Sequence, residues 1–564
     1  MPSQGDTPFL AEGAVLRTRL GRLLLGKSPA KLARFVRLTV ALALAALLVP
    51  VLVAPIPPLL DYPNHLSRIW LLGGGAEMAP VSGMYRVTWD TLTNIGIDLL
   101  AVLLTRLFDY ETVGRIFVAA AALLVPLGGV LLWKAVHNRV HFWQLSFVLF
   151  AWGGGLLSGF LNFEIGLGLA MLAAAFDPAL ARRGILSLTA VRIFCAALLI
   201  LVHVFAFAFY AALLCAMCLG PEFGAFTQRK AVSRVARSLI VAAATLAVPA
   251  VLILVLGPSL PGGPSGNTLL TVWSDFRAGF AHLRAAPADK LKASFVSIRT
   301  YANWLDGLAL AMLVLPVLGS LALRRLAVHA GMLLVSLGLL ACYVTFPAFL
   351  AATDAIDVRF AFMTPLVLLV GLRPDLPSRA AYAAAISLLV VSSLRTGVMA
   401  WVWHERQADV AALSRALALV PQGAAILPLE HDAQGATGGP IGRYTTMHAP
   451  SYRHLPTLAL PWRQAFVPTL FAFRGKQPIM ILPPWDTISE PNGGFLAHVQ
   501  ALVDPALFAI ALKGAPYLEA WRERFDFALV VNADMPDEDG PIVLPPELEL
   551  LSDQGFAQLY RIHH

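Results

Sequence analysis

Residues 36–65 read VRLTVALALAALLVPVLVAPIPPLLDYPNH, and their reading decides the fold. The run 36–54 is almost wholly apolar and long enough to cross a bilayer. It is too long for a signal-peptide core and has no clear small-x-small cleavage site, so an uncleaved helix is expected. Directly after it comes Pro57-Pro58-Leu59-Leu60-Asp61-Tyr62-Pro63-Asn64-His65. Proline sets φ and restricts the residue before it, so the backbone around Asp61 is held extended or turned. Spanning does not need a carboxylate there. An acidic group placed rigidly at a membrane surface is a candidate for function. The plainer alternative is a capped turn, with Asp61 or Asn64 capping a short helix from His65 to Leu72.

Working outward, the composition agrees with a membrane setting. Of 564 residues 58% are hydrophobic and only 13% charged, against about 25% charged in soluble proteins. Mean hydropathy is +0.71. The net charge of +8 is no argument for nucleic acid, because the positive charge lies mostly in short loops between apolar runs. The four cysteines, Cys195, Cys215, Cys218 and Cys342, all lie inside apolar runs and read as small buried side chains. They form neither a disulfide framework nor a metal motif.

The charges fix an expected topology. Arg17, Arg19, Arg22, Lys27, Lys31, Arg34 and Arg37 cluster around the start of the first span, which puts residues 1–35 in the cytoplasm and Asp61 outside. That basic segment suits the anionic inner leaflet. Within an outer loop 55–110, the segments 64–72 and 94–108 are too short to span and read as surface helices. Spans then follow at 113–133, 143–160, 162–177, 187–202, 204–220, 236–256, 304–321, 329–349, 357–372 and 380–402. With this parity Lys134, Arg139, Arg182, Arg183, Arg229, Lys230, Arg234, Arg237, Arg324, Arg325, Arg373 and Arg379 all fall inside. Counting 94–108 as a span would put every one of them outside. The pair at 187–220 is tight for two helices, and short or broken helices often line a cavity.

The expected fold class is therefore a polytopic α-helical membrane protein of about eleven transmembrane helices (residues 36–403) with a C-terminal soluble α/β domain (404–564). The loop 257–303 is long and carries Trp273, Phe276, Phe280, Phe295 and Tyr301, which suits a lid. From 404 onward charge, proline and glycine rise. Strand-like runs occur at 424–429, 478–482, 526–532 and 557–562, with helical stretches at 405–420, 495–512 and 515–524. No glycine-rich phosphate fingerprint follows these strands.

Several polar residues fall on the outer side: Asp61 and His65, Asn162 and Glu164, His203, then Asp354, Asp357 and Arg359. Ionisable groups at membrane depth cost about 2.5–3.5 kcal/mol each, so they persist with partners or solvent. Their gathering at one level argues for a site. Each also has a structural reading. Glu164 can cap its helix, His203 can be a core or turn histidine, and Asp357 with Arg359 can end a helix at the interface. Asp98 reads as the polar face of a surface helix. Gly153-Gly154-Gly155 reads as close helix packing.

One span, an outer loop with an acidic residue, two surface helices, many spans and a C-terminal outer domain resemble the GT-C glycosyltransferases. The likeness is to the bacterial lipid A and protein mannosylation branches, in architecture rather than in a long motif. The segments Asp61 to His65, Ser158 to Glu164, Leu201 to Phe209, His454-Leu455-Pro456 and Ala465 to Phe471 also resemble an uncharacterised bacterial family of such proteins. The transferable motif is the acid of the first outer loop, here Asp61. Tyr62 follows it, so the paired acids of some branches are absent, as is a Trp-Trp-Asp signature. Substrate and metal dependence stay open, and the sequence indicates no metal site.

The resemblance implies transfer of sugar from a polyprenyl-phosphate donor in the membrane, on the outer face of a bacterial cytoplasmic membrane. Asp61 would be the base for an inverting transfer. Arg359 suits the phosphate, with His65, His203, Glu164, Asp357 and Asn162 as further donor- or substrate-binding candidates. A transporter or flippase of a lipid-linked substrate, or an envelope assembly protein that binds a partner through 404–564, are the alternatives. The span interiors look nearly free of charge, which favours an enzyme over a transporter.

Overall fold

The computed structural model describes residues 29–91, 93–221, 229–256, 290, 294–348, 355–431, 439–445, 449–535 and 543–564. The basic residues Arg17 to Lys27, Asp354 and most of the loop 257–303, with Trp273, Phe276 and Phe280, lie outside the described residues.

The chain is a membrane-embedded helical bundle with a sheet region at its C-terminal end. Among the described residues, seven helical stretches are long and apolar enough to cross a bilayer: Ala30–Val53, Tyr110–His137, Leu161–Ala181, Ile185–Val202, Val232–Leu252, Asn303–Ala322 and Ser378–Leu417. Shorter apolar helices run Phe142–Leu157, Val204–Leu219 and Ala330–Thr345. The bundle leaves large apolar side chains on its outside, such as Leu52 at 74% exposed, Val255 at 72% and Ile240 at 68%. Such surface is costly in water and ordinary against lipid tails. Small residues let the helices approach closely. A Cβ on Gly128 of the helix Tyr110–His137 would come 2.6 Å from the carbonyl oxygen of Gly168 in Leu161–Ala181.

The two short segments of the first loop are helices α2 (Tyr62–Leu72) and α3 (Gly96–Leu104), of 11 and 9 residues, following the spanning helix α1 (Pro29–Ala46). Neither is long enough to cross a bilayer. The pair at 187–220 does split, between α6 (Ile185–Val202) and α7 (Val204–Leu219). The stretch 143–160 is not a single helix. A 3₁₀ segment at Phe142–Phe150 gives way to one α-turn at Gly154–Leu157, and α5 (Leu161–Ala181) follows α4 (Tyr110–His137) in space. Of the glycines 153–155, Gly155 makes the close helix contact expected, against Glu164 of α5 and Phe362 of the helix Ile356–Gly371, whereas Gly153 does not. The backbone of Ser297 packs on Gly153, and the carboxyl of Glu164 packs on Gly155.

Among the described residues, five strands form the C-terminal sheet in the order β6-β4-β7-β9-β8, with β4 Ile426–Glu430, β6 Ala497–His498, β7 Phe527–Val531, β8 Leu548–Asp553 and β9 Ala557–Ile562. β4 runs parallel to β6 and β7, whereas β7, β9 and β8 are antiparallel. The strand β7, FALVV, is buried along its whole length, as expected of an interior strand covered on both faces. The run 478–482 behaves differently from the other three. Its strand β5 (Ile479–Ile481) leaves the main sheet and pairs antiparallel with β1 (Tyr85–Val87) of the first loop.

That pairing is one of several stitches. The Asn64 side chain donates to the Thr469 carbonyl at 3.3 Å and accepts from the Phe471 amide at 2.8 Å. Ser67 donates to the Thr457 carbonyl at 2.9 Å, and Gln407 to that of Ile56 at 2.9 Å. The first loop and the C-terminal region are therefore one packed body seated on the bundle, and segments some 400 residues apart in sequence share its core.

Candidate functional site

Asp61 stands at the first position before α2, with φ −86° and ψ −6°, and its side chain makes no capping hydrogen bond. Asn64 does not cap the helix either, because its amide is engaged with Thr469 and Phe471. The capped-turn reading of this stretch therefore fails. The backbone of Leu60 and Asp61 instead donates to the carbonyls of Leu157 and Ser158, at 3.1 and 3.2 Å. Gly159 follows with φ +81°, and a Cβ there would lie 2.7 Å from the Asp61 nitrogen. Only glycine fits that contact and that conformation together.

This docking brings Asp61 beside the start of α5 and the start of α11 (Ile356–Gly371). Arg359 in the first turn of α11 is buried, and its guanidinium lies over three rings: Phe160 at 4.8 Å, Phe163 at 5.2 Å and Phe205 at 5.5 Å. Ring faces favour a cation at these distances. The charge of Arg359 reaches Asp61, Glu164 and His203. Four sequence-expected residues from separate stretches thus share one site.

His203 sits in the break between α6 and α7, where its Nδ1 accepts from the Phe205 amide at 3.1 Å. His65 joins the group, with both nitrogens engaged. A guanidinium can only donate and a carbonyl only accept. Nδ1 therefore accepts from Arg68 at 3.0 Å, and Nε2 donates to the Gly159 carbonyl at 3.1 Å. Burial and Arg68 push its pKa well down, so His65 is a neutral brace for the Gly159 turn.

Two expected site residues belong elsewhere. The Asn162 side chain accepts from the Ile97 amide at 3.0 Å and donates to the Asn94 carbonyl at 2.9 Å. It caps α3 from a neighbouring helix, since the first amides of a helix need outside acceptors. Asp357 lies in the same turn as Arg359 but pairs with Lys290, whose Nζ also donates to the Tyr343 carbonyl at 3.1 Å. That contact turns it toward α10 (Ala330–Thr345). Asp98 is not a solvent-facing residue of a surface helix. It is 1% exposed and accepts from Arg68 Nε at 2.7 Å.

The site also holds residues that sequence reasoning passed over. His454 Nε2 stands 3.7 Å from Asp61 Oδ1, with its ring edge-on to Phe471 at 4.9 Å. Arg453 is close enough to act on both Asp61 and His454, and Lys476 is close enough to feel Arg359. All three come from the C-terminal region. Only His454 lay in a stretch that stood out in the sequence, His454-Leu455-Pro456, and nothing local to it points to Asp61.

The electrostatics follow from depth. Burial raises the Asp61 pKa to about 7, against the opposing charges of Arg453, Arg359 and Arg68. Even so, the side chain keeps 18% of its surface accessible. Burial and Arg453 lower His454 to about 3, so it is neutral at ordinary pH. Burial and Arg359 lower Lys476 to about 8. A reachable carboxylate whose pKa is raised to about 7 can take or give a proton under working conditions, and a ring-held guanidinium within its electrostatic reach suits an anion. Among the described residues, no group of three or more His, Cys, Asp or Glu side chains is placed to hold a metal ion. Compared with known protein families and with curated proteins, the chain matches no family model and no curated sequence.

Proposed function

We propose that this protein is a membrane glycosyltransferase of GT-C type, which transfers a sugar from a polyprenyl-phosphate-linked donor. The observation that supports this reading is a partly accessible Asp61, from the first loop, within electrostatic reach of the buried Arg359 at the start of α11. Asp61 takes the proton of the acceptor hydroxyl. The oxygen attacks the anomeric carbon as the bond from that carbon to the phosphate oxygen breaks, and the electron pair leaves with the phosphate. The growing negative charge on that phosphate falls to Arg359. About eleven spans, with the N-terminus in the cytoplasm and the site on the far face of a bacterial inner membrane, accord with the basic loops. The test is transfer from a panel of polyprenyl-phosphate sugars by the purified protein in lipid discs, with Asp61→Asn as the control. Turnover retained in Asp61→Asn removes Asp61 from the mechanism. Movement of a lipid-linked substrate across vesicles that Asp61→Asn leaves intact favours a transporter instead.

A further inference from the structure

The C-terminal region does more than cover the site, because it delivers one side chain to the carboxylate itself. His454 follows the turn at 450–453 and precedes a 3₁₀ turn at Leu455–Leu458. Its position is set by the stitches to α2 already described, Thr457 to Ser67 and Phe471 to Asn64. Its ring is 3% exposed, and Nε2 faces Asp61 at 3.7 Å. Nδ1 is buried with no hydrogen-bond partner among the described residues. Toward an ionised carboxylate, which can only accept, the neutral ring places its proton on Nε2, facing Asp61, and leaves the bare nitrogen inside. A buried polar atom without a partner is unfavourable, and its retention asks for an explanation.

We propose that His454 is a positioning residue for Asp61, whose Nε2–H closes onto Oδ1 when the carboxylate ionises and so holds the base in its charged form. The separation of 3.7 Å is too long for that bond before ionisation or substrate entry and needs under 1 Å of movement to form it. The other groups that act on Asp61 are Arg453 from the same turn, Arg359 from α11 and Arg68 from α2. None of them changes charge near neutral pH. The role of Asp61 as base rests on the transferase reading, whereas the His454–Asp61 contact does not.

The test is therefore made on the titration of Asp61 itself. A carbodiimide reacts with protonated buried carboxyls, and mass spectrometry of the full chain in lipid discs reads modification at Asp61 against pH. The wild type, His454→Leu and His454→Gln are compared. With the donor lost, His454→Leu is expected to shift the midpoint upward by about one unit. Glutamine restores an N–H, so His454→Gln is expected to stay near wild type. Equal shifts in both variants mean that only the packing mattered, and they overturn the proposal. No shift in either variant, or no titration of Asp61 between about pH 5 and 9, overturns it as well. If the shift is found and no donor supports transfer, the contact stands and the transferase reading falls.

Discussion

Two buried acid–base clusters in this molecule are built in opposite ways. Asp306, at the start of α9 (Asn303–Ala322), and Arg395, deep in α12 (Ser378–Glu405), meet at 2.6 Å. Asp306 also takes the amide and hydroxyl of Thr300, at 2.8 and 2.7 Å, and Arg395 reaches the carbonyl of Ile298 at 2.7 Å. Both carboxylate oxygens are hydrogen-bonded, so the pair is closed at the acid, while Arg395 Nε has no hydrogen-bond partner among the described residues. It ties the end of the loop 257–303 to two spanning helices. Asp177 and Arg192 make a similar closed pair, at 2.7 and 2.8 Å, between α5 and α6. These pairs correct the expectation that the span interiors are nearly free of charge.

Asp61 differs. It lies within electrostatic reach of three arginines, and its side chain stands 3.7 Å from the neutral ring of His454. Removing one partner of a closed pair leaves a buried charge uncompensated, which is strongly destabilising. An open carboxylate with a pKa raised toward neutrality marks a candidate functional site.

The comparison breaks most sharply at the two acids. Asp61→Asn is expected to lower transfer by about 10²–10⁴-fold, with the protein still folded and monodisperse. In the wild type, activity should climb as pH rises through about 7, because the deprotonated carboxylate is the base. Stability runs the other way. The folded-state pKa lies above the ordinary value of 3.8, so the folded state holds a proton that the unfolded state has lost between those limits. Stability therefore falls as pH rises from about 4 to about 7. Above that window, thermal unfolding in detergent should find Asp61→Asn at least as stable as wild type.

Arg395→Leu should do the reverse, since it strands a buried acid. The expected loss is about 3–5 kcal/mol of stability, read as a lower unfolding midpoint and poor recovery of folded protein. Full stability in Arg395→Leu would mean that the closed pair is ornamental.

Gly159→Ala sharpens the comparison at the hinge between the site and its support. The positive φ and the 2.7 Å approach to Asp61 predict a loss of about 1–3 kcal/mol, with transfer reduced as Asp61 is displaced. Asn162→Ala is the mildest. As a lost cap it should cost about 1 kcal/mol of stability and leave KM for the donor unchanged. A raised KM would return Asn162 to the binding site.

Much of this could be read from the sequence, and the division has a physical cause. The spanning helices, the break at His203 and the strands at 426–430, 527–531 and 557–562 are local events. Hydrophobic run length, proline placement and alternation specify them within a few residues. The unusual character of Asp61 was also local, since prolines flank it and a span precedes it. What the sequence could not carry is partnership. His454 lies 393 residues beyond Asp61 (454 − 61) and meets it only because Asn64 and Ser67 fasten α2 to residues 457–471. Asn162 looked like a site residue until tertiary packing set its amide on the free end of α3. Asp357 stood two residues from Arg359 and was turned away from it by Lys290. The sequence by itself determined the long apolar helices, four of the strands and the placing of an acid at the end of the first span. Only the tertiary structure decided which charges close on one another and which stay open, because that depends on which distant backbones dock and on the directions in which their side chains then point.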